Sequence, residues 1–326
     1  MKLASERSGA PDGRLLVVSR DLSSVVTADH IAPNLLAAVE HWDAVSPALE
    51  ELSGQLNAGE TADARPYDPA SLLAPLPRTW QWLDGSAYPT HGKLMQQAYN
   101  LPPIPSDPPL MYQGMSHRFL SATEEVHFPD AADGIDFEGE LGVVTSDLPM
   151  GASPDQAVRA IRLLVQINDW SLRVRGAAEM KTGFGWVTAK PACSMAPVAI
   201  TPDELGSAWS DGRLQGKLEI RLNGRRFGDV DADPMEFGFH ELIAHAAATR
   251  NLCAGTIIGS GTLSSVHFSE QGSCCIAERR AIEMIEHGAP RTPFLSSGDR
   301  VQMTARARGS EFAPFGRIDQ LVSVAR

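Results

Sequence analysis

The pattern of apolar residues near the start of the chain predicts two short strands followed by a helix. Residues 15–19 and 24–27 are short apolar runs bounded by polar residues, as is typical of strands. Between residues 34 and 56, apolar side chains recur at the spacing of a helix with one buried face. Pro47 lies inside this segment, and because proline lacks a backbone N–H we expect it to kink or divide the helix.

A polar segment then separates this unit from a longer region in which strand and loop patterns dominate. Residues 57–75 are polar and contain Ala, Asp, Gly and Pro, which predicts a linker. We therefore predict a small N-terminal α/β domain over residues 1–75 and a larger domain over residues 76–326. The second domain is expected to be α+β, mainly β, with a few helices.

Four further segments have recognisable patterns. Ser-Pro-Asp-Gln at residues 153–156 is a helix-capping sequence, and we expect the helix to continue to residue 165. Residues 218–227 alternate around Asn-Gly, the strongest short hairpin signal. Residues 237–248 have a helical pattern, and residues 301–324 should hold two or three strands.

Acidic residues occur where this apolar patterning predicts burial. Glu138 and Glu140 stand two apart in a strand-like segment, residues 134–144, and Asp169 follows the apolar run 161–168. Alternate strand residues share a face, so Glu138 and Glu140 should lie close together. Buried like charges repel unless one takes a proton or a cation lies between them, and hard divalent ions prefer carboxylate oxygens. The alternative is an ordinary solvated strand face, because Glu is rarely buried without a partner.

Composition excludes several classes of protein. The chain has 326 residues, 43% hydrophobic and 21% charged, with a net charge of −12. This acidic balance argues against nucleic acid or an anionic membrane as a partner. We expect no signal peptide and no membrane span, because no apolar run is long enough. The four cysteines lack metal-site or disulfide spacing, so we expect small core residues and a cytoplasmic location.

Three other positions are candidates for chemistry. Asp84 and His91 are separated by turn-rich sequence, and histidine is the natural general base near neutral pH; the alternative is an ordinary surface-loop histidine. Lys190 lies in a segment with little other polarity, where it could stabilise negative charge or simply extend its amine to solvent. The Gly-Ser-Gly-Thr sequence at residues 259–262 allows close backbone approach to a ligand, or forms a plain turn.

Taken in order, these motifs resemble the fumarylacetoacetate hydrolase family over about residues 75–326. The Glu-x-Glu strand, Asn-Asp-Trp-Ser-Leu-Arg at residues 168–173, the Asp84–His91 separation and the Ser-Gly-Thr turn all match family motifs. The resemblance implies a mixed β-roll core and a set of site residues. These are the metal ligands Asp84, Glu138, Glu140 and Asp169, the catalytic residues His91, Lys190 and Glu278, and the substrate-binding residues Arg173 and Thr262.

The resemblance also implies an activity, which is hydrolysis of a carbon–carbon bond in a β-diketo acid or acylpyruvate. The expected cofactor is Mg²⁺, Mn²⁺ or Ca²⁺, which would stabilise the enolate leaving group as a Lewis acid. His91, oriented by Glu278, would activate water, Lys190 would stabilise charge on oxygen, and Arg173 would bind the substrate carboxylate in a forked pair. The partners are then a small oxo-acid and a second copy of the chain in a homodimer.

Two departures keep other functions open. Gly176 stands where hydrolytic members carry a substrate-contacting glutamine, and aligning Glu278 with the family glutamate requires a two-residue shift. A decarboxylase or keto–enol isomerase would use the same metal without activated water. A metal-stabilised binding protein without turnover is the third possibility, and it predicts that His91 can be replaced without consequence.

Overall fold

The computed structural model describes residues 1–103, 105 and 107–325. The strands are β1 (Lys2–Glu6), β2 (Arg14–Val18), β3 (Ser24–Thr27), β4 (Arg65–Pro66), β5 (Trp82–Gly85), β6 (Met111–Gly114), β7 (Val126–Phe128), β8 (Ile135–Asp136), β9 (Gly139–Thr145), β10 (Ile161–Asn168), β11 (Ser171–Leu172), β12 (Ser194–Met195), β13 (Ala199–Ile200), β14 (Trp209–Ser210), β15 (Arg213–Leu214), β16 (Gly216–Leu222), β17 (Arg225–Asp231), β18 (Ile257–Gly259), β19 (Arg300–Ala307) and β20 (Ile318–Val324). The α-helices are α1 (Leu35–Glu40), α2 (Trp42–Ala58), α3 (Pro89–Tyr99), α4 (Pro154–Ala160), α5 (Arg173–Met180), α6 (Phe239–Ala246), α7 (Phe268–Gln271) and α8 (Ile276–His287).

Most of the strands belong to one large mixed sheet. Its order is β4–β3–β2–β1–β13–β10–β9–β18–β5–β6, with β12 also paired to β10. β5 and β18 run parallel, whereas β9 runs antiparallel to both β18 and β10. The N-terminal strands are part of the same sheet, because β1 pairs with β13. The predicted domain boundary at residue 75 therefore crosses a continuous sheet, and it stays a prediction.

The large sheet is buried on both faces, so its strands alternate between two cores. Leu15 and Val17 of β2 pack with residues of α1 and α2, whereas Leu16 and Val18 belong to the other core. This second core lies against a five-stranded sheet of order β17–β16–β19–β20–β7. Gln166 of β10 joins the two sheets, since its side chain donates to the Met303 carbonyl and accepts from the Ala305 N–H.

The structure confirms the α+β, mainly β class and several predicted elements. Strands β2 and β3, helix α6 and the strands β19 and β20 lie where the pattern predicted them. The predicted hairpin is β16 and β17, and its turn residues Asn223 and Gly224 have φ of 52° and 76°. Positive φ at both positions is the geometry that makes Asn-Gly a hairpin signal.

Near the N-terminus the structure differs from the sequence predictions in where the helical segment divides and in the predicted linker. The helical segment divides at His41, where φ is −118° and ψ is 31°, and Pro47 lies inside α2 without dividing it. The segment 57–75 is not a free linker, because β4 pairs with β3. Arg65 of β4 also binds Glu6, with Nη1 and Oε1 2.8 Å apart. Sequence reasoning also missed β1, a five-residue strand that carries polar residues and is nevertheless buried throughout.

A third correction concerns the chain that leads to Asp169. The predicted helix ends at Ala160, and residues 161–168 form β10 instead. This run is buried on both faces, and such a strand has no alternation to distinguish it from a buried helix. Among the described residues, no helix combines the length and the apolarity needed to cross a lipid bilayer.

Candidate active site

Three buried carboxylates converge at the ends of neighbouring strands. Asp84 is on β5, Glu140 is on β9, and Asp169 follows β10 directly. The register brings them together, since Asp84 is paired with Gly259 of β18 and Ile167 of β10 is paired with Glu140. One oxygen from each carboxylate lies within 4.8 Å of the other two. We refer to Asp84, Glu140 and Asp169 as the carboxylate trio.

The trio has more carboxylate oxygens than the nearby hydrogen-bond donors can satisfy. Both oxygens of Glu140 are buried and have no hydrogen-bond partner among the described residues. Burial and the neighbouring Asp84 and Asp169 raise the pKa of Glu140 well above its usual value. Burial and Asp169 likewise raise the pKa of Asp84 to about 8. Unpartnered carboxylate oxygens in a tight group fit a hard divalent cation, so the trio is a candidate site for such an ion.

A glycine on β18 leaves room for this arrangement. A Cβ atom built at Gly259 would overlap Oδ1 of Asp84 and the ring of Trp82. Any larger residue at position 259 would therefore displace the Asp84 carboxylate. Two residues further on, the Gly261 N–H donates to the same Oδ1 at 3.1 Å, which fixes its orientation. The Gly-Ser-Gly-Thr turn thus shapes the trio directly.

Glu138 lies outside the trio, although the sequence predicted that it would lie beside Glu140. The strand through this segment is interrupted, because β8 ends at Asp136 and β9 begins at Gly139. The Glu138 carboxylate instead contacts two cations, with Oε1 2.8 Å from Arg173 Nη2 and 3.0 Å from Lys190 Nζ. Burial opposes its ionisation, but Arg173 and Lys190 outweigh burial and hold its pKa below the usual value.

Two hydroxyl groups complete the surroundings of Glu138. Ser171 Oγ donates to Oε1 at 2.7 Å, and Thr262 Oγ1 donates to Oε2. The structure therefore places Thr262 beside Glu138, and its predicted contact with substrate stays a prediction. Hydroxyl groups and cations thus surround the Glu138 carboxylate, and its predicted role as a metal ligand stays a prediction.

Lys190 connects Glu138 to the trio. Its Nζ also lies 2.5 Å from Asp169 Oδ2, and the same oxygen accepts from the hydroxyl of Tyr112 at 2.6 Å. Burial would lower the pKa of Lys190, but Asp169 and Glu138 raise it, so the amine is charged. It lies 5.2 Å and 5.6 Å from the ring centres of Tyr112 and Trp186, within the range of cation–π attraction.

His91 and Glu278 form a hydrogen-bonded pair. Nδ1 of His91 is 2.9 Å from Oε2 of Glu278, which is fully buried in the first turn of α8. His91 lies in the first turn of α3, which begins at Pro89, so the alternative of a surface-loop histidine does not hold. The prediction that pairs these two residues placed them correctly in spite of the two-residue shift in the motif.

Arg173 is already engaged by carboxylates. Its Nε donates to Oδ2 of Asp136 at 2.8 Å, in addition to the Nη2 contact with Glu138. A forked pair with substrate needs two free N–H groups on one edge of the guanidinium. Nε is hydrogen-bonded to Asp136, so a forked pair with substrate would use the edge formed by Nη1 and Nη2, and that role stays a prediction.

Several site residues were missed by sequence reasoning. Asp136 stands two positions before Glu138, so an extended Asp-x-Glu-x-Glu motif was the available signal. Tyr112 pairs with Asp84 across β5 and β6, and Cys193 Sγ donates to Asp169 Oδ1 at 3.0 Å, but neither carries a motif. The expectation of four core cysteines holds for three, whereas Cys253 is exposed.

Comparison with known proteins agrees with this fold. A sequence model described as fumarylacetoacetate (FAA) hydrolase C-terminal matches residues 81–322, and one described as fumarylacetoacetase N-terminal domain 2 matches residues 1–78. The chain is 27% identical over 163 residues to 2,4-didehydro-3-deoxy-L-rhamnonate hydrolase of Sphingomonas sp. (strain SKA58). That match covers 49% of this chain and 54% of the relative, so the chain spans about half of the relative's length.

Solved structures share the fold over the whole chain. Maleylpyruvate hydrolase from Sphingobium sp. SYK-6, in complex with manganese(II) ion and pyruvate, has a TM-score of 0.66 at 16% identity. The 5-carboxymethyl-2-hydroxymuconate delta-isomerase from Mycobacterium smegmatis has a TM-score of 0.63 at 17% identity. Both comparisons cover 100% of each chain. The protein belongs to the fumarylacetoacetate hydrolase family, whose fold is shared by hydrolases and isomerases.

Proposed function

We propose that this protein is a divalent-metal-dependent hydrolase that cleaves a carbon–carbon bond in a β-diketo acid or acylpyruvate. The observation that carries the proposal is the 2.9 Å contact between His91 and the fully buried Glu278. Hydrolysis needs a group that removes a proton from water, and a histidine held by a carboxylate is suited to that role. Isomerisation and decarboxylation have no such requirement.

The proposed water activation follows from the orientation of the ring. Nδ1 of His91 faces Glu278, so Nδ1–H donates to that carboxylate and Nε2 is the nitrogen that accepts a proton. Water gives this proton to Nε2 as its oxygen attacks the distal carbonyl carbon of the substrate. The carbon–carbon bond then breaks, and its electron pair moves into the leaving oxo-acid as an enolate. Protonation of the enolate carbon yields two acids, one of them pyruvate when the substrate is an acylpyruvate.

Other residues would bind the substrate and its developing charge. Lys190 is buried and charged, so its ammonium can stabilise a negative oxygen at low cost in reorganisation. Arg173 keeps its proposed role at the substrate carboxylate, through guanidinium edges that Asp136 and Glu138 leave open. Thr262 would contact substrate from the turn after β18. These roles, like that of Glu138 as a fourth metal ligand, are part of the proposal.

The proposed cofactor is Mg²⁺, Mn²⁺ or Ca²⁺ held by the trio. The unpartnered oxygens of Glu140 and the all-oxygen donor set fit these ions. When bound, the ion supplies Lewis-acid stabilisation of negative charge on the substrate's oxo groups. The manganese and pyruvate in the maleylpyruvate hydrolase structure support both a divalent ion and an oxo-acid ligand.

The test is an assay with defined acylpyruvates and Mg²⁺ or Mn²⁺. We expect loss of the diketone absorbance, and release of pyruvate in equal amount. His91→Ala and Glu278→Gln should each lower the rate, His91→Ala by about 10²–10⁴-fold as for a lost general base. His287→Ala, which changes an exposed histidine at the end of α8, should leave the rate unchanged. Full activity of His91→Ala would refute the assignment.

A decarboxylase or isomerase is the second candidate, and Gly176 is the observation that favours it. The glutamine that contacts substrate in hydrolytic members has no counterpart at this position. Release of CO₂ from oxaloacetate, or a change in enol absorbance without pyruvate release, would identify this function while acylpyruvates stay intact. The proposed homodimer and cytoplasmic location are separate expectations, and light scattering of the purified protein tests the first.

A further inference from the structure

Asp136 is a fully buried carboxylate that joins two parts of the candidate site. Its Oδ1 accepts from the Ile276 N–H at 2.7 Å, and its Oδ2 accepts from the Ala277 N–H at 2.9 Å. The same Oδ2 also accepts from Nε of Arg173 at 2.8 Å. One carboxylate oxygen is therefore shared between the start of α8 and the arginine that lies beside Glu138.

The helix contacts of Asp136 determine where Glu278 lies. Ile276 and Ala277 are the first two residues of α8, so their N–H groups have no partner within the helix. Asp136 supplies that partner from β8, and it adds a favourable charge at the helix N-terminus. Glu278 is the next residue, and it reaches His91 from this same turn. A shift of the α8 start relative to β8 would therefore move Glu278 away from His91.

The arginine contact fixes the plane of the guanidinium. Arg173 begins α5, and its backbone N–H donates to the Gly134 carbonyl at 2.9 Å, next to β8. With Nε on Asp136 and Nη2 on Glu138, rotation of the side chain would break two charge-assisted contacts. A movement of Arg173 would also disturb the oxygen that accepts from Ala277.

We propose that Asp136 is a positioning residue that ties the orientation of Arg173 to the alignment of the Glu278–His91 pair. This inference rests on the proposed function, in which Arg173 binds the substrate carboxylate and His91 activates water. Binding of the carboxylate at Arg173 and alignment of the base then depend on one buried group. A simple helix cap would stabilise α8 without linking these two events.

The chain offers a matched control for helix capping. Glu241 of α6 accepts from the Gly238 N–H at 2.7 Å and pairs with Arg213 Nη2 at 3.2 Å. It has the same two kinds of partner as Asp136, but it lies outside the residues assigned to the site. Glu241→Gln therefore removes a capping charge with its arginine pair and should leave the site unaltered.

The experiment compares Asp136→Asn, Glu278→Gln and Glu241→Gln with the unsubstituted protein. The first readout is the ¹⁵N chemical shift of the His91 ring nitrogens, assigned with His91→Ala, because it reports the contact with Glu278 and requires no turnover. Asp136→Asn should shift these signals in the same direction as Glu278→Gln, and Glu241→Gln should leave them in place. Unchanged His91 signals in a folded Asp136→Asn protein would overturn the proposal.

The second readout is the split between kcat and KM. Asp136→Asn should lower kcat and raise KM together, with kcat/KM reduced roughly 10- to 100-fold, as expected when hydrogen bonds to a charged group are lost. A purely structural role would lower kcat only in proportion to the folded fraction, with KM unchanged, and that result would also overturn the proposal. If Asp136→Asn does not fold, Asp136→Glu retains the charge and tests the same geometry.

The two proposals can fail separately. If the unsubstituted protein turns over none of the oxo-acids, the proposed function fails, and the His91 signals still decide whether Asp136 aligns the pair. If turnover is normal and Asp136→Asn changes neither the signals nor the kinetic constants, only the inference about Asp136 fails.

Discussion

Replacing Glu140 by glutamine should have opposite effects on stability with and without a divalent cation. In the EDTA-treated protein, Glu140 adds a third carboxyl group to the trio, and neither of its oxygens has a partner among the described residues. Glutamine has nearly the same shape, and its amide can donate to the carboxylates of Asp84 and Asp169. The substitution therefore removes the charge of Glu140 and supplies a donor that does not depend on protonation.

The size of the effect follows from the spacing of the charges. Two unit charges about 5 Å apart repel by about 3 kcal/mol at an effective dielectric constant near 20. Protonation already relieves part of this repulsion, since the pKa of Glu140 is raised by burial and by Asp84 and Asp169. We expect Glu140→Gln to raise the free energy of unfolding of the metal-free, EDTA-treated protein at pH 8 by about 1–3 kcal/mol. The native protein should instead gain about 4.1 kcal/mol from a cation at 1,000 times its Kd, which exceeds the gain of the variant.

The assay is urea unfolding at pH 8 with EDTA and again with millimolar Mn²⁺ or Mg²⁺. The variant should be more stable than the native protein in EDTA and less stable than the native protein in millimolar Mn²⁺ or Mg²⁺. Glu219→Gln serves as the control, because this carboxylate on β16 pairs with Arg221 and Arg306 away from the trio. Its effect should not depend on metal. Equal destabilisation of Glu140→Gln in both conditions would refute the argument from charge repulsion.

Three further predictions concern pH, a loop and specificity. The pKa of Asp84 is raised from 3.8 to about 8 in the folded protein. Between these two pH values, the folded protein in EDTA therefore holds a proton that the unfolded chain releases. This stability is complete below pH 3.8 and is lost as pH rises toward about 8, so the unfolding free energy in EDTA should fall between about pH 4 and 8, by up to about 1.4 kcal/mol per unit per proton, and level off above that range. A flat profile between about pH 4 and 8 would contradict it. Glu179 accepts hydrogen bonds from the N–H groups of Val187, Thr188 and Ala189, which lie just before Lys190. Glu179→Ala should therefore reduce kcat/KM, while the melting temperature stays within about 2 °C of the native value, as for an exposed residue. Unchanged kinetic constants would refute this role. A Cβ at Gly176 meets only Ala189 Cβ at an ordinary 3.7 Å, and glutamine is a better helix former than glycine within α5. Gly176→Gln should therefore fold, with its stability unchanged or raised by up to about 1 kcal/mol. It should favour acylpyruvate cleavage over decarboxylation, as the ratio of pyruvate to CO₂ would show.

The site could be predicted where chemistry-bearing residues sit in local motifs. Apolar patterning singled out Glu140 and Asp169, and the family resemblance added Asp84, which the structure places beside them. Glu138 shows the limit of that reasoning, because a strand pattern predicts the face of a side chain only if the strand is continuous. The strand is interrupted after Asp136, and Glu138 beside the break contacts Arg173, a distant residue that no local spacing indicates.

The fold, too, could be predicted where neighbouring residues determine the structure, and not where distant strands do. The hairpin at Asn223-Gly224 was predicted because its turn geometry is specified by two adjacent residues. The helix predicted through residue 165 was wrong because β10 gains its partners from β9 and β13, which its own sequence does not reveal. Tyr112 was missed for a related reason, since only the pairing of β5 with β6 brings it to Asp169.

The pairing of β1 with β13 has a consequence for any attempt to shorten the protein. A fragment that begins after residue 78 would expose the main-chain N–H and C=O groups of Ala199 and Ile200, which now bind Lys2 and Leu3. It would also uncover apolar side chains of β10, such as Leu163 and Val165, that belong to the core shared with α1 and α2. An open strand edge next to bare apolar surface recruits strands from other molecules. The N-terminal unit therefore covers this strand edge and this apolar surface. A fragment that lacks the unit should aggregate more readily than the full chain.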